Sequence, residues 1–241
     1  MLTLCIISCD EPDRANEESE AQQIVDAAIL AAGGSKYENI ELSFDFREHR
    51  YTASRSEGAF EYTRLGVDSL GREVRDVLNN QGLFRYIGGA LTEIAAEDSI
   101  AYANSVNSVI YFALLPYFLN DPAAIKTYLG KMQIEGNLYH KIKVVFKQEG
   151  GGKDYQDEFV YWFNDQDFGM DYLAYNYLTE GGGSRFRQAF NVRRVAGIRF
   201  ADFYNLKPSV ATRDIQIFDS LLLNSGLEKL SEIRTENIKV N

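Results

Sequence analysis

Cysteine is nearly missing from this 241-residue chain, and so are long apolar runs. The two thiols, Cys5 and Cys9, both lie within the first nine residues. A disulfide framework or a Cys-ligated metal is therefore excluded for everything beyond them. Histidine is equally scarce, with His49 and His140 alone, so a zinc site would have to be completed by carboxylates; no metal and no cofactor is expected. No segment approaches the ~20 apolar residues of a membrane-spanning helix. Basic residues are outnumbered, 25 against 35 acids, for a net charge of −10. Such a surface argues against nucleic-acid binding, which needs clustered Lys and Arg to neutralise phosphates. It equally disfavours electrostatic adhesion to anionic lipid. What the chain does have is rings: 15 Tyr and 15 Phe, most of them in alternating runs.

The amino end carries the sharpest local signal. Ile6-Ile7-Ser8-Cys9 is an aliphatic residue, a branched one, Ser and Cys, the pattern read by the bacterial lipoprotein machinery. Acylation of the thiol and cleavage before it would make Cys9 the first residue and a membrane anchor, at roughly 0.8 kcal/mol per buried CH2. The eight residues before it hold no Lys or Arg and are shorter than a complete secretory signal. Either the signal starts upstream of Met1, or the stub is an apolar N-terminus of another kind. Asp10–Glu20 then contains six acidic residues, which suits a solvated tether. The expected organisation is a truncated signal at 1–8, an acylated Cys and acidic tether at 9–16, and a single domain at 17–241.

Within that domain the hydrophobic period first changes near residue 37. Ala21, Ile24, Val25, Ala28 and Ile29 form one stripe at helical spacing, so Glu17–Ala32 reads as a helix stopped by Gly33-Gly34. From Tyr37 the period is two: Ile40, Leu42, Phe44 and Phe46 face one way, Glu41, Ser43, Asp45 and Arg47 the other. Further strands are expected at 50–55, 58–65, 72–78 and 83–87, joined by links too short for parallel crossovers. A second helix, Ser99–Leu115, ends at Pro116. Strands resume near Thr127 and run to Tyr204, broken at Glu149-Gly150-Gly151-Gly152 and Glu180-Gly181-Gly182-Gly183 as consecutive hairpins would be. A short helix at Asp214–Leu223 and a last strand at Ile233–Val240 close the chain. The class is α+β: a large curved antiparallel sheet, an incomplete barrel, covered by two or three helices, because so aromatic a sheet face cannot stay wet.

Several stretches resemble a family of uncharacterised bacterial envelope lipoproteins. They are Phe44-Asp45-Phe46-Arg47, the block Tyr102–Pro116, Tyr139–Val144, Gly150–Tyr155 and Met170–Tyr175. The resemblance implies an anchored protein of the Gram-negative envelope, held at the outer membrane on its periplasmic or surface face. It carries no catalytic residues over. The order of elements is also similar to the lipoprotein-localisation proteins of LolA and LolB type, whose incomplete barrel is lidded by helices around a site for acyl chains. That layout implies an acyl-chain or other apolar ligand.

No nucleophile motif emerges. Gly150-Gly151-Gly152-Lys153 lacks the spacing of a phosphate loop, since Lys147 stands where Gly is required and Asp154 where Ser or Thr is required. Neither G-x-S-x-G nor H-E-x-x-H occurs. Asp157-Glu158 and Asp165 with Asp167 lie at turns, where solvated charge is the default reading. His49 sits among charges at a strand end and is expected to face solvent. His140 shares a face with Leu138, Ile142, Val144 and Phe146 and is expected to be buried and hydrogen-bonded. Arg185, Arg187, Arg193 and Arg194 read as a solvated strand face, with a headgroup site as the alternative.

The expected function is a non-enzymatic, lipid-anchored, monomeric protein with a helix-lidded apolar cavity. Its wall is assigned to Leu42, Phe44, Phe46, Tyr111, Phe112, Leu115, His140, Val144, Phe146, Phe159, Tyr161 and Tyr175, because ring-rich strands with a few hydroxyls are typical of ligand pockets. The alternatives are a solid-cored interaction or scaffolding module and, third, an envelope hydrolase, which a pocket with converging carboxylates or a desolvated His140 would favour.

Overall fold

The computed structural model describes residues 11–149, 156–178 and 181–241, with backbone alone for 11–18. Helix α1 runs from Glu11 to Ala32, starting six residues before the Glu17 given by the periodicity. An antiparallel series follows: β1 Ile40–Phe46, β2 His49–Ser56, β3 Ala59–Val67, β4 Glu73–Asn79, β5 Gly82–Ile87 and β6 Ala90–Thr92. Helix α2 spans Ala96–Ala113. Then come β7 Ala124–Ile134, β8 Asn137–Phe146, β9 Phe159–Asn164, β10 Met170–Tyr177, β11 Gly183–Val195 and β12 Ile198–Pro208. After a 3-10 turn at Ile215–Ile217 come α3 Phe218–Leu223, β13 Leu227–Ile233 and β14 Glu236–Val240.

The class is the α+β one expected, built on antiparallel strands. The strands form two seven-stranded sheets, in the orders β14-β1-β2-β3-β4-β5-β6 and β13-β12-β11-β10-β9-β8-β7. Neither sheet closes on itself. The carboxyl end differs from expectation: where one strand was foreseen there are two, one in each sheet, parted by Arg234-Thr235. The sequence there is mostly polar and exposed, so no apolar alternation marked β13. Elsewhere turn chemistry fixes register. Glu57-Gly58 and Ala196-Gly197 both have positive φ at each residue, the type I′ hairpin geometry that matches strand twist.

The described residues divide into two compact units. One contains Ile29–Phe118, Arg187–Asn205 and Lys229–Asn241. Its core joins Ile40, Leu42 and Phe44 of β1, Tyr51 and Ala53 of β2, and Tyr62 of β3 to Val106 and Ile110 of α2 and to Leu114, which caps that helix. Those three helix residues recur every four positions, which puts one stripe on the sheet. A polar row crosses the same sheet. Arg64, Asp76, Arg85 and Thr92 are cross-strand neighbours on β3, β4, β5 and β6. Asp76 is 1% exposed and accepts from Arg64 at 2.6 and 3.0 Å and from Arg85 at 2.6 and 2.9 Å. Arg64 also donates to Ser105 Oγ of α2 at 2.7 Å, and Arg85 lies 3.4 Å from the Tyr102 ring centroid. The helix is thus bonded to the sheet at its polar end and packed on it at its apolar end.

The other unit contains α1 up to Ala28, Leu119–Phe186 and Leu206–Glu228. Residues Phe159–Phe163 of β9 are all buried, so both faces of that strand are covered. On one face Phe218 of α3 packs on Phe186 at 6.1 Å. There Asp219 accepts from Trp162 Nε1 at 3.1 Å and from Lys141 Nζ at 2.6 Å. The opposite face carries the rings described below.

Burial alone would raise the Asp76 carboxyl, but hydrogen bonds from Arg85 and Arg64 outweigh it and hold it below 3.8. Asp76→Asn would leave two guanidinium groups without their shared counter-ion, at an expected cost of about 3–5 kcal/mol in urea unfolding. Because the folded value is depressed, this contribution is complete above pH 3.8 and is lost as pH falls through the folded value. The gap between wild type and variant should therefore close in acid.

Candidate functional site

The register of β8, β9 and β10 gathers six of the expected cavity residues within one unit. Val144 faces Phe159, Ile142 faces Tyr161 and His140 faces Phe163 across β8 and β9, while Phe159 faces Tyr175 across β9 and β10. Period-two alternation then places His140, Val144, Phe159, Tyr161 and Tyr175 on one sheet face. The rings form a continuous ladder. Phe146 meets Phe159 edge-on at 5.9 Å; Phe159 stacks on Tyr175 at 5.8 Å and on Tyr161 at 6.1 Å; Tyr161 stacks on Phe163 at 6.2 Å. Val144, Tyr161 and Phe163 are fully buried. Phe146 and Tyr175 are half-buried, so the ladder has an accessible end.

At its other end the ladder meets a polar clasp. His140 is 8% exposed; its Nε2 lies 2.8 Å from Asp165 Oδ1 and its Nδ1 3.4 Å from the Tyr128 hydroxyl. Phe168 stacks on the imidazole at 5.9 Å, held at φ +56 by the tight turn that also supplies Asp165. Lys131 Nζ bonds Asp165 at 2.7 Å, and Glu20 of α1 lies close enough to act on the group electrostatically. Burial pushes the His140 pKa below 6.5; Lys131 adds to this, while Asp165 and Glu20 oppose it. The expectation of a buried, hydrogen-bonded histidine holds. Its neighbours are a carboxylate shared with a lysine and a phenol, an arrangement that positions the ring and brings it no serine or thiol among the described residues.

The other six expected cavity residues lie in the unit that contains α2. Leu42 and Phe44 are 2% and 1% exposed and belong to the core beneath the helix. Leu115 is buried too, while Phe46 is half-buried at the margin. Tyr111 stacks on Phe118 at 5.1 Å and meets Phe112 edge-on at 5.9 Å; both are half-buried. The twelve residues are thus six and six, and the two sets belong to different units.

His49 is half-buried, where a solvent-facing ring was expected. Its ring lies over Gly66, where a Cβ would come within 2.6 Å of it, so the glycine creates the space. Burial, then Arg64, lowers its pKa. The arginine cluster disperses instead of forming one basic face. Arg185 lies over the Tyr177 ring, Arg187 over Phe112, Arg193 bonds Asp202 at 3.1 Å, and Arg194 reaches the Ala31 carbonyl at 2.7 Å. Cys9, the 150–152 glycine turn, Lys153, Asp154 and Glu180 lie outside the described residues.

Asp157, expected in solvent, is only 9% exposed, and three more deeply buried aspartates were missed: Asp76, Asp202 and Asp219, at 1–2% exposure. Each bonds residues distant in sequence, so linear spacing held no trace of them. Arg55 was missed as well, although strand alternation puts it on the core face with Tyr51 and Ala53.

Comparison with known proteins gives a consistent picture. The chain belongs to the Family of unknown function (DUF6503), whose model matches residues 1–235. No curated protein matches it. In structure it is similar to a LolA superfamily protein from Nitrosomonas europaea, with TM-score 0.51 and 10% identity over 91% of this chain and 92% of that one. It is also similar to a candidate outer membrane lipoprotein-sorting protein domain from Vibrio parahaemolyticus, with TM-score 0.50 and 8% identity over 93% of each. The fold is therefore LolA-like, as the order of elements led us to expect.

With its folded pKa depressed, His140 takes up a proton less readily than the unfolded chain, so it withdraws stability as pH falls below 6.5. In an NMR titration the His140 ring should have a midpoint below 6.5. Asp165→Asn removes an opposing influence and should move that midpoint lower still; a rise would contradict the clasp geometry.

Proposed function

We propose that this member of the DUF6503 family is a non-enzymatic, lipid-anchored protein of the Gram-negative envelope that binds an acyl chain or another apolar ligand. The observation that carries the proposal is the ring ladder on β8, β9 and β10, buried at Tyr161 and Phe163 but accessible at Phe146 and Tyr175. A core filled only for stability needs no such edge, and aliphatic residues fill volume without phenolic oxygens to satisfy. A chain of methylenes lying along stacked rings gains roughly 0.8 kcal/mol per buried CH2. The LolA-like fold supports the same reading, because one protein of similar fold is described as a candidate outer membrane lipoprotein-sorting domain. The clasp around His140 supports a binding role over catalysis, since Lys131 already engages the carboxylate that would orient the imidazole as a base.

The anchor is assigned to Cys9, at the outer membrane. Cys9→Ala should transfer the protein from the membrane to the soluble fraction; continued sedimentation with membranes would remove the anchor from the proposal.

Ligand binding is tested by native mass spectrometry of protein purified without detergent, followed by titration with a fluorescent fatty-acid probe. A bound acyl species and saturable probe binding are expected. Phe146→Ser and Tyr175→Ser should each weaken binding by about tenfold, the equivalent of losing one part-buried ring. A folded protein that binds no apolar probe at all would overturn the assignment.

A further inference from the structure

We infer that the bound chain ends in a phosphate, and that Arg185 and Arg213 receive it at the accessible end of the ring ladder. This rests on the acyl-chain reading above and names the head of the ligand. Every residue involved belongs to the ladder's own unit, which holds Leu119–Phe186 and Leu206–Glu228. Of Arg185, Arg187, Arg193 and Arg194, Arg185 alone falls within it. Past Phe159 and Tyr175 the rings continue along β10: Tyr177, two residues on and so on the same face, lies 6.3 Å from Tyr175. A guanidinium closes the row. Arg185 of β11 stands over the half-buried Tyr177 ring, 5.1 Å from its centroid. Gly183 makes room for that ring, since a Cβ there would come within 2.7 Å of the Tyr177 hydroxyl oxygen. Arg213 meets the same residue on its backbone side, donating from Nη1 to the Tyr177 carbonyl at 3.3 Å.

Neither cation has a carboxylate partner among the described residues. Arg185 Nη1 donates to the Ser184 carbonyl at 2.9 Å, and Arg213 has the Tyr177 carbonyl. A guanidinium has five N–H donors, so one neutral acceptor apiece leaves most of them unused. Three lysines of the same unit are placed differently: Lys131 holds Asp165, Lys141 holds Asp219 and Lys143 holds Glu158, at 2.6–2.7 Å. In a chain of net charge −10, two guanidinium groups kept clear of carboxylates beside an apolar ladder form a local positive field. An anionic head complements it. A carboxylate is planar, and one guanidinium edge satisfies both its oxygens. A phosphate monoester has three terminal oxygens and about −1.5 to −2 charges at neutral pH, which suits two cations meeting on one tyrosine. The methylenes behind the head would then lie along Tyr177, Tyr175 and Phe159, entering where Phe146 and Tyr175 are half-buried.

The test compares hexadecyl phosphate, hexadecanoic acid and hexadecanol, each below its micelle concentration, on the full chain and on the double variant Arg185→Gln, Arg213→Gln. Wild type should bind the phosphate about tenfold or more tighter than the alcohol, as one charge-assisted contact provides, and tighter than the acid. The variant, checked for native circular dichroism, should bind phosphate and alcohol alike. In wild type alone, 31P NMR should find the second proton of bound hexadecyl phosphate lost well below the pH of about 6 at which the free monoester loses it. That measurement decides the matter even if the variant fails to fold, and an unshifted or raised midpoint would overturn the phosphate assignment. Equal binding of phosphate and alcohol by wild type would overturn it while leaving the acyl-chain reading intact. A preference for the acid, or a preference for the phosphate that survives in the double variant, would overturn it too. So would inorganic phosphate binding as tightly as hexadecyl phosphate, since the anion site would then stand apart from the ladder. Failure to bind any of the three amphiphiles would remove both readings together.

Discussion

Asp76 shared between Arg64 and Arg85 is the constraint on which the α2-containing unit depends. A carboxylate with 1% exposure is tolerable only because four short hydrogen bonds surround it. Those bonds come from the neighbouring strands, so any slip in register would strand charge in the interior. The network then reaches upward, through Ser105 and the Tyr102 ring, and fixes where helix α2 lies. With the polar end fixed, Val106, Ile110 and Leu114 meet the apolar half of the sheet. The rings of Tyr117 and Phe118, just beyond the helix, thereby come to frame Arg55.

The same device recurs. Asp202 accepts from Arg193, Asn191 and the Thr235 amide, which secures the link between β13 and β14. Asp219 joins the short α3 to the sheet through Trp162 and Lys141. Each aspartate lies where two elements must meet and where apolar contact alone leaves their relative position adjustable. Hydrophobic burial supplies magnitude without direction; a buried charged hydrogen bond has a preferred geometry and is costly to break. This chain uses the first for cohesion and the second for alignment.

The aromatic content serves two ends. Trp162, Phe186 and Phe218 form a closed group on one face of their sheet, with ring centroids 5.6 and 6.1 Å apart, and behave as ordinary core. On the other face the ladder from Phe163 to Tyr175 keeps part of its surface accessible. Rings stacked along a strand are stiff, since each has only two rotatable side-chain bonds, so such an edge stays smooth when unoccupied.

Local sequence determined most of the secondary structure. The period-two run from Ile40 to Phe46, the X-Gly hairpins and the α1 stripe each depend on contacts within a few residues, and those patterns are visible in one dimension. It also placed His140 indoors and put the right side chains on each strand face. What only tertiary structure decided was pairing at a distance. The partition of the twelve expected cavity positions between two units, the aspartates that clamp separate elements and the seat of His49 over Gly66 all arise between residues on different elements. Acidic residues in an acidic protein look like solvated surface. Only the folded backbone shows which of them have been taken out of water.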